Sequence, residues 1–537
     1  MEPSYRDFLK KSKFNTKKAK TYLKAYKQIR ETNLFNEEFY KENYPNVADS
    51  GMDPLTHYLF YGSNEGKYPS TNFNGNKYLN TYPETIKEDI NPLVHYIIEG
   101  KEKGYEKFPI NYNEKKEKIL KNNLLYLHNY KFKEEPLVSI IILNRNGYHH
   151  LKRLFKNFNE KTNYTNYEII VVDNASTDKS IEYLETLENI KLIKNNTNKS
   201  FSQANNEATK KAKGEYILLL NNDMEPTYGW LNELMGTILK DENIGAVGAK
   251  LIYPYYFDRI SPEKSFTLQH ATVKFEEVIT PQYDYGPIHE DILEEDIFNQ
   301  KYNQNKQCLA VTAAAVLIKK SIYEKLGGLD EKYFYGYEDV DFMLKLHKNN
   351  YKVIYSGASL LFHHESSTRN NEGEFLEINM KNIETLTEKW DNYLFKQILK
   401  DKIKKNKFFT NQTLTISIID DDNKTNFNEI SKLFKEFNKL NYNIELIPSP
   451  YYFKMTKNTD IILSFNTEYK IEKIQARKNI IKIYYTKEKI SKEIKNYDII
   501  LTNNKENKEL NKDNIFIIED LSTETILKTI KEFYNIE

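Results

Sequence analysis

Apolar residues in this chain follow two rhythms. From about residue 134 they form near-continuous runs, PLVSIIILNRN, YEIIVVDNAS and GEYILLLNND, with a helical stretch over 149–159 between the first two. A run that is apolar at successive positions suits a strand buried on both faces, so a parallel sheet covered by helices is expected, each strand ending in polar residues at one carboxyl edge. From 411 the pattern restarts with LTISIID, YNIELIPS, DIILSF, NIIKIYY, DIILTNN and NIFIIED, with helical stretches at 426–440 and 523–533. This predicts a second doubly wound, Rossmann-like α/β domain over 411–537. It lacks a Gly-rich phosphate loop, so a nucleotide site there is not supported.

Before residue 134 the spacing is helical. Residues 1–30 hold ten Lys/Arg and two Asp/Glu, with Tyr22, Leu23, Tyr26 and Ile29 on one side. Such a basic amphipathic helix can lie on an anionic membrane surface, or it can pack on a neighbour and leave its lysines solvated. Over 31–109 a segment repeats with a period of 38, pairing Phe35 with Phe73, Tyr40 with Tyr78, Pro54 with Pro92, His57 with His95 and Gly62 with Gly100. Two stacked helical units are expected, each with a turn at Tyr-Pro and a short helix from Asn/Asp-Pro-Leu to Gly. His57 and His95 lack partners at zinc spacing and read as packing or capping residues. A Lys/Asn-rich helical connector over 110–133 leads to a domain over 134–395.

Composition changes little. A chain of 537 residues holds about three or four domains. Basic and acidic residues number 78 and 77, so no global field draws in nucleic acid. The lone Cys308 excludes an intrachain disulfide, and no apolar run reaches the ~20 residues of a membrane span. A cytoplasmic chain is expected.

Four constellations can carry chemistry. Asp173 leaves a buried strand in VVDNASTD, where a carboxylate can accept hydrogen bonds from a base or ribose. LLLNNDMEP delivers Asn221, Asn222 and Asp223 together, and Asp223 suits a hard divalent cation that neutralises a diphosphate. Glu338, Asp339 and Asp341 crowd a helix start, more acids than capping needs, and one can act as a base. His363 and His364 follow another strand, and either imidazole can complete a metal site with Asp223. Turn formation, capping and packing are the structural alternatives for all four.

The order VSIIILNRNG, VVDNASTD, NKSFSQANNEATKKAKGEYILLLNND, QHATVKF, AVTAAAVLIKKSIYEKLGGLDE, YEDVDFMLKLHKNNYKV and HHESSTR closely resembles the family 2 glycosyltransferases, in particular their rhamnosyltransferase-like, O-antigen branch. The resemblance covers about 136–370. It implies a GT-A fold and inverting transfer from a nucleoside diphosphate sugar with Mn or Mg, as in cell surface polysaccharide biosynthesis. On this chain it implies Asp173 at the base, Asn205, Asn222 and Asp223 in donor binding, Asp223 and His363 on the metal, and Asp339 as general base with Glu338 beside it. The chain departs from the family in reading Asn221-Asn222-Asp223 at the acidic motif and Ser200 where glycine is usual. Asp223, Asp339 and His363 are expected to meet around one cation beside Asp173. The rival readings are a nucleotidyltransferase and a non-catalytic glycan-binding or assembly module.

Overall fold

A computed structural model describes residues 3–44, 46–47, 50–87, 90–255, 264–277, 285–364, 372–420, 427–448, 459–465, 480–487, 489–490, 497–510 and 513–536. The central sheet begins with β1 (Val138–Asn144), β2 (Tyr167–Asn174), β3 (Ile190–Asn195) and β4 (Tyr216–Asn221), all parallel in the spatial order β3-β2-β1-β4. The apolar runs of β1, β2 and β4 are buried on both faces by helices such as Phe201–Lys211 and Trp230–Ile238, as continuous apolarity requires, whereas the edge strand β3 is half-buried. Register aligns the strand ends: Asn144 lies opposite Asp173, and Leu143 opposite Asn221.

Beyond β4 the sheet mixes directions. Short β5 (Met224–Pro226), then β6 (Ile244–Ile252), β7 (Leu268–His270), β10 (Lys306–Gln307), β11 (Ala315–Lys319) and the long β12 (Lys352–His363) extend it in the order β10-β12-β6-β11-β4. β11 runs antiparallel to both neighbours, β6 and β12 run parallel, and β5 and β7 are antiparallel additions to β12 and β6. A separate hairpin, β8 (Val273–Glu277) with β9 (Tyr285–His289), stands beside it. This is the mostly parallel α/β arrangement expected of a GT-A-type domain. The helix predicted over 149–159 is split into Tyr148–Phe155 and Phe158–Lys161, because Asn157 takes a left-handed φ of 62°.

The second domain is a fully parallel six-stranded sheet of β13 (Thr415–Asp420), β14 (Asn443–Pro448), β15 (Ile461–Ser464), β16 (Ile481–Thr486), β17 (Ile499–Thr502) and β18 (Ile515–Ile517), in the order β14-β13-β15-β16-β17-β18. One helix of 33 residues, Glu372–Lys404, serves both cores. Leu386, Trp390, Leu394 and Ile398 pack in the first, whereas Leu399 and Ile403 pack in the second.

The repeats stack as paired small helices. In each, a helix opened by Pro widens into a π turn, Pro54–His57 into Tyr58–Gly62 and Pro92–His95 into Tyr96–Gly100. The matched residues explain one another. Tyr40 Oη meets His57 Nδ1 at 3.1 Å and Tyr78 Oη meets His95 Nδ1 at 2.8 Å, so the histidines are packing partners. A side chain at Gly62 or Gly100 would place its Cβ 2.0 or 2.2 Å from those hydroxyls. The N-terminal segment is two helices, Tyr5–Lys11 and Thr16–Arg30, and the second buries Ala19, Tyr22, Ala25, Tyr26 and Ile29 in the repeat core. Among the described residues no helix is long and apolar enough to cross a membrane.

Candidate active site

Asp223 and His363, far apart in sequence, are brought together by backbone pairing. β5 runs against β12 with His363 opposite Met224, and the His364 N–H donates to the Asp223 carbonyl at 3.0 Å. The buried Asp223 carboxylate then lies 3.3 Å from His363 Nε2. His363 Nδ1 is 2.6 Å from Gln269 Oε1, and because a carbonyl oxygen only accepts, Nδ1 carries a proton and Nε2 is the ring nitrogen turned to Asp223. Burial would raise the Asp223 pKa, but the imidazoles of His363, His150 and His364 outweigh it and hold the group well below the usual carboxylate range. Two electron-pair donors turned to one point, one oriented by a second hydrogen bond, fit a divalent cation that takes its other ligands from phosphate and water.

His364 takes a different partner. Its Nε2 lies 3.6 Å from Glu225, whose carboxylate is bound by Lys116 at 2.8 Å and Lys161 at 3.3 Å. Burial pushes the His364 pKa down to about 4. Glu225 thus joins the Tyr112–Leu124 connector helix to the sheet, and of the two histidines only His363 faces Asp223.

The other strand ends form one hydrogen-bonded chain. Asn222 donates to Asn144 Oδ1 at 2.7 Å, and Asn144 donates to Asp173 at 3.0 Å. The second Asp173 oxygen accepts the Ser176 N–H at 2.9 Å, closing a turn in which Ala175 takes a φ of 60°. Asp173 is fully buried there, so it orients Asn144 and the turn. Gly147 makes room for this network, since a Cβ would come within 2.2 Å of Asn222 Nδ2 and 2.4 Å of Asn144 Oδ1. Asn205 is not brought to the cleft: it is buried in the Phe201–Lys211 helix and donates to the Phe201 carbonyl at 2.9 Å. Ser200, at the position where glycine was expected, caps that helix by accepting the Gln203 N–H at 3.1 Å.

Beside His363 is a cavity of about 350 Å³ lined by His363, Gln269, Glu338, Asp339, Tyr335 and His289, among others. The oxygens of Asp339 accept the Ala313 N–H at 3.0 Å and the Val340 N–H at 2.8 Å. This corrects the expectation that Asp223, Asp339 and His363 ring one cation: among the described residues no group of three His, Cys, Asp or Glu side chains could hold a metal. Burial, then the Asp339 charge, raises the pKa of Glu338, and one of its oxygens is buried without a hydrogen-bond partner, so the site favours the protonated form of Glu338. The third acid is structural: Asp341 accepts Trp390 Nε1 at 2.7 Å and pairs with Lys389 at 2.7 Å. Asn382 of the same long helix donates to the carbonyls of Tyr335 and Gly336, fixing the loop ahead of the left-handed Tyr337, whose φ is 71°.

Sequence reasoning missed Gln269, His270 and His289, although QHATVKF was among the motifs. Polar residues ahead of a Val-Lys-Phe alternation were the available signal.

Residues 139–326 match the glycosyl transferase family 2 model. Over these residues the chain is similar to glycosyl transferase family 2. The chain is 31% identical over 248 residues to the O-antigen biosynthesis protein RfbC of Myxococcus xanthus, covering 45% of this chain and 18% of that protein. It is also 31% identical over 247 residues to an uncharacterised protein of Sinorhizobium fredii, covering 44% of this chain and 25% of that one. The chain thus spans a quarter or less of these two relatives. Among solved structures, GalNAc-T7 with UDP, GalNAc and Mn2+ aligns over 43% of this chain and 44% of that chain, at 18% identity and a TM-score of 0.35.

Proposed function

We propose that the protein is an inverting glycosyltransferase that moves a hexosyl or deoxyhexosyl group from a nucleoside diphosphate sugar to a hydroxyl of a glycan or glycoconjugate in cell-surface polysaccharide synthesis. One observation carries the reading: His363, which is paired with Asp223, and Asp339 line the same cavity. Asp223 and His363 would hold a Mn or Mg ion, which when bound neutralises charge on the diphosphate. Asn144, Asn222 and the turn anchored by Asp173 form the floor for the nucleotide. Asp339 takes the proton from the acceptor hydroxyl as its oxygen bonds to the anomeric carbon from the face opposite the leaving group. The bond from that carbon to the diphosphate oxygen breaks, and the nucleoside diphosphate departs with the electron pair. Glu338, whose burial favours its protonated form, sits beside that base.

The relative's role in O-antigen biosynthesis favours a cell-surface acceptor. Peripheral contact with an anionic cytoplasmic membrane face belongs to the same reading. It would be electrostatic, since the apolar side of the Thr16–Arg30 helix is already packed and Lys17, Lys20, Lys24 and Lys27 are exposed.

The test is to incubate the full chain with Mn2+, a panel of sugar nucleotides and glycan acceptors, and to identify what is released. Nucleoside diphosphate with a glycosylated acceptor is expected. Pyrophosphate would indicate a nucleotidyltransferase, and no turnover with any donor would favour a binding module.

A further inference from the structure

We propose that His289, held in one tautomer by His270, is the uncharged hydrogen-bond donor that orients a neutral acceptor sugar in the cavity; this rests on the glycosyltransferase reading above. His270 ends β7 and is 1% exposed. Its Nε2 lies 3.1 Å from the Thr312 backbone nitrogen. A backbone N–H can only donate, so Nε2 must accept and the single proton of a neutral ring is on Nδ1. Burial supports that neutral state, holding His270 well below the usual histidine pKa. His270 Nδ1 in turn lies 2.7 Å from His289 Nδ1, which must therefore accept. Protonating His289 there would set two N–H groups against each other. Its proton consequently belongs on Nε2, and His289 serves as a donor and not as a base.

The pair is tied to the base of the reaction. Thr312 N–H engages His270, and the next N–H along the chain, that of Ala313, engages Asp339 at 3.0 Å. Consecutive peptide groups thus hang the donor and the proton acceptor on one short segment, and both His289 and Asp339 line the cavity. The hairpin holds His289 opposite Val273, and the Glu290 N–H donates to the Thr272 carbonyl at 2.9 Å.

The lining also indicates what the donor meets. Asp339 is the acidic group of the lining proposed as a carboxylate, and that charge would repel a carboxylate or phosphate on the acceptor. Tyr335, 42% exposed at the same cavity, offers a ring face to the C–H side of a pyranose. An uncharged N–H donor, an aromatic face and a carboxylate base together suit a neutral pyranoside.

The test uses the full chain with Mn2+, a sugar-nucleotide panel and p-nitrophenyl glycosides of neutral sugars as acceptors. His289→Ala should raise the acceptor KM about three- to tenfold, the worth of one hydrogen bond, with the donor KM unmoved. His289→Gln, which keeps an N–H in reach, should recover most of that loss. An unchanged acceptor KM in His289→Ala, or an effect confined to the donor KM, would overturn the proposal. A second arm needs no turnover: long-range 1H–15N correlation spectra of histidine-labelled protein should show His289 protonated at Nε2 and bare at Nδ1, and His270→Phe should mix the tautomers. A wild-type His289 protonated at Nδ1 overturns the proposal, whereas failure of every acceptor in the panel with that tautomer intact counts against the glycosyltransferase reading alone.

Discussion

Just past β4, Asp223 meets its imidazole because two strands are paired in register, whereas Asp339 is carried by a helix that starts from a left-handed tyrosine. The first wall is made of strand ends, with Asn144 and Asp173 in the ladder, Asn222 and Asp223 directly after β4, and side-chain hydrogen bonds joining Asn222, Asn144 and Asp173. The second is assembled from a hairpin, a loop and the side of a long helix, and it leaves Phe334 and Tyr335 nearly half exposed. A ladder shares its positional constraint over many backbone bonds, while a loop depends on a few named contacts. On the proposed glycosyltransferase reading, the first wall would serve the diphosphate, and the second could vary with the acceptor without disturbing it.

The largest effect should come from the base. Asp339→Asn should lower transfer about 10²- to 10⁴-fold, the usual worth of general base catalysis. Calorimetry should find Mn-dependent nucleoside diphosphate binding unchanged, and a parallel loss of binding would show that the two walls are not separable. Next is the orientation of the metal-type imidazole. Gln269→Leu frees the His363 ring and should raise the Mn2+ concentration for half-maximal binding of nucleoside diphosphate by about 10- to 100-fold. No change would mean that the β5–β12 pairing alone positions the ring.

Smaller is the cost of loosening the acceptor loop. Asn382→Leu removes hydrogen bonds to Tyr335 and Gly336, each worth about 1 kcal/mol. It should raise the acceptor KM a few-fold and leave the donor KM alone, and equal changes in both would erase the contrast. The smallest effect concerns pH. Glu338 has a raised pKa in the native state, so the folded protein holds that proton after the unfolded chain has released it. Its stability is full below the ordinary carboxyl range and falls as pH rises toward the native pKa. Glu338→Gln cannot ionise, so its melting temperature relative to wild type should climb by a few degrees from acid to slightly alkaline pH. A difference that stays flat with pH would show that Glu338 is ionised in the fold.

The same contrast explains what the sequence made legible. Asp223 and Asp173 could be found because a buried parallel strand announces itself as an apolar run and its polar terminus marks the edge. Asn205 sits within a family motif, yet its spacing puts it on the buried side of its helix, where an amide turns back on the preceding turn. Asp341 shows the reverse problem: three acids at a helix start look alike in sequence, and only the long helix, contributing Trp390 and Lys389, separates the structural one from the others. His270 and His289 lie on different strands, and neither residue by itself signals the other.

The long helix also constrains how this protein can be rearranged. At about 1.5 Å per residue its 33 residues form a strut on the order of 50 Å, with Trp390 set in one core and Ile403 in the other. A graft or truncation that keeps only the family 2-like region must carry the whole strut and then bares Leu399 and Ile403, while an earlier cut takes away residues that brace the active-site loop. In shuffling experiments the second sheet should behave as an inseparable counterweight, and a soluble excised domain will need polar replacements along the last turns of that strut.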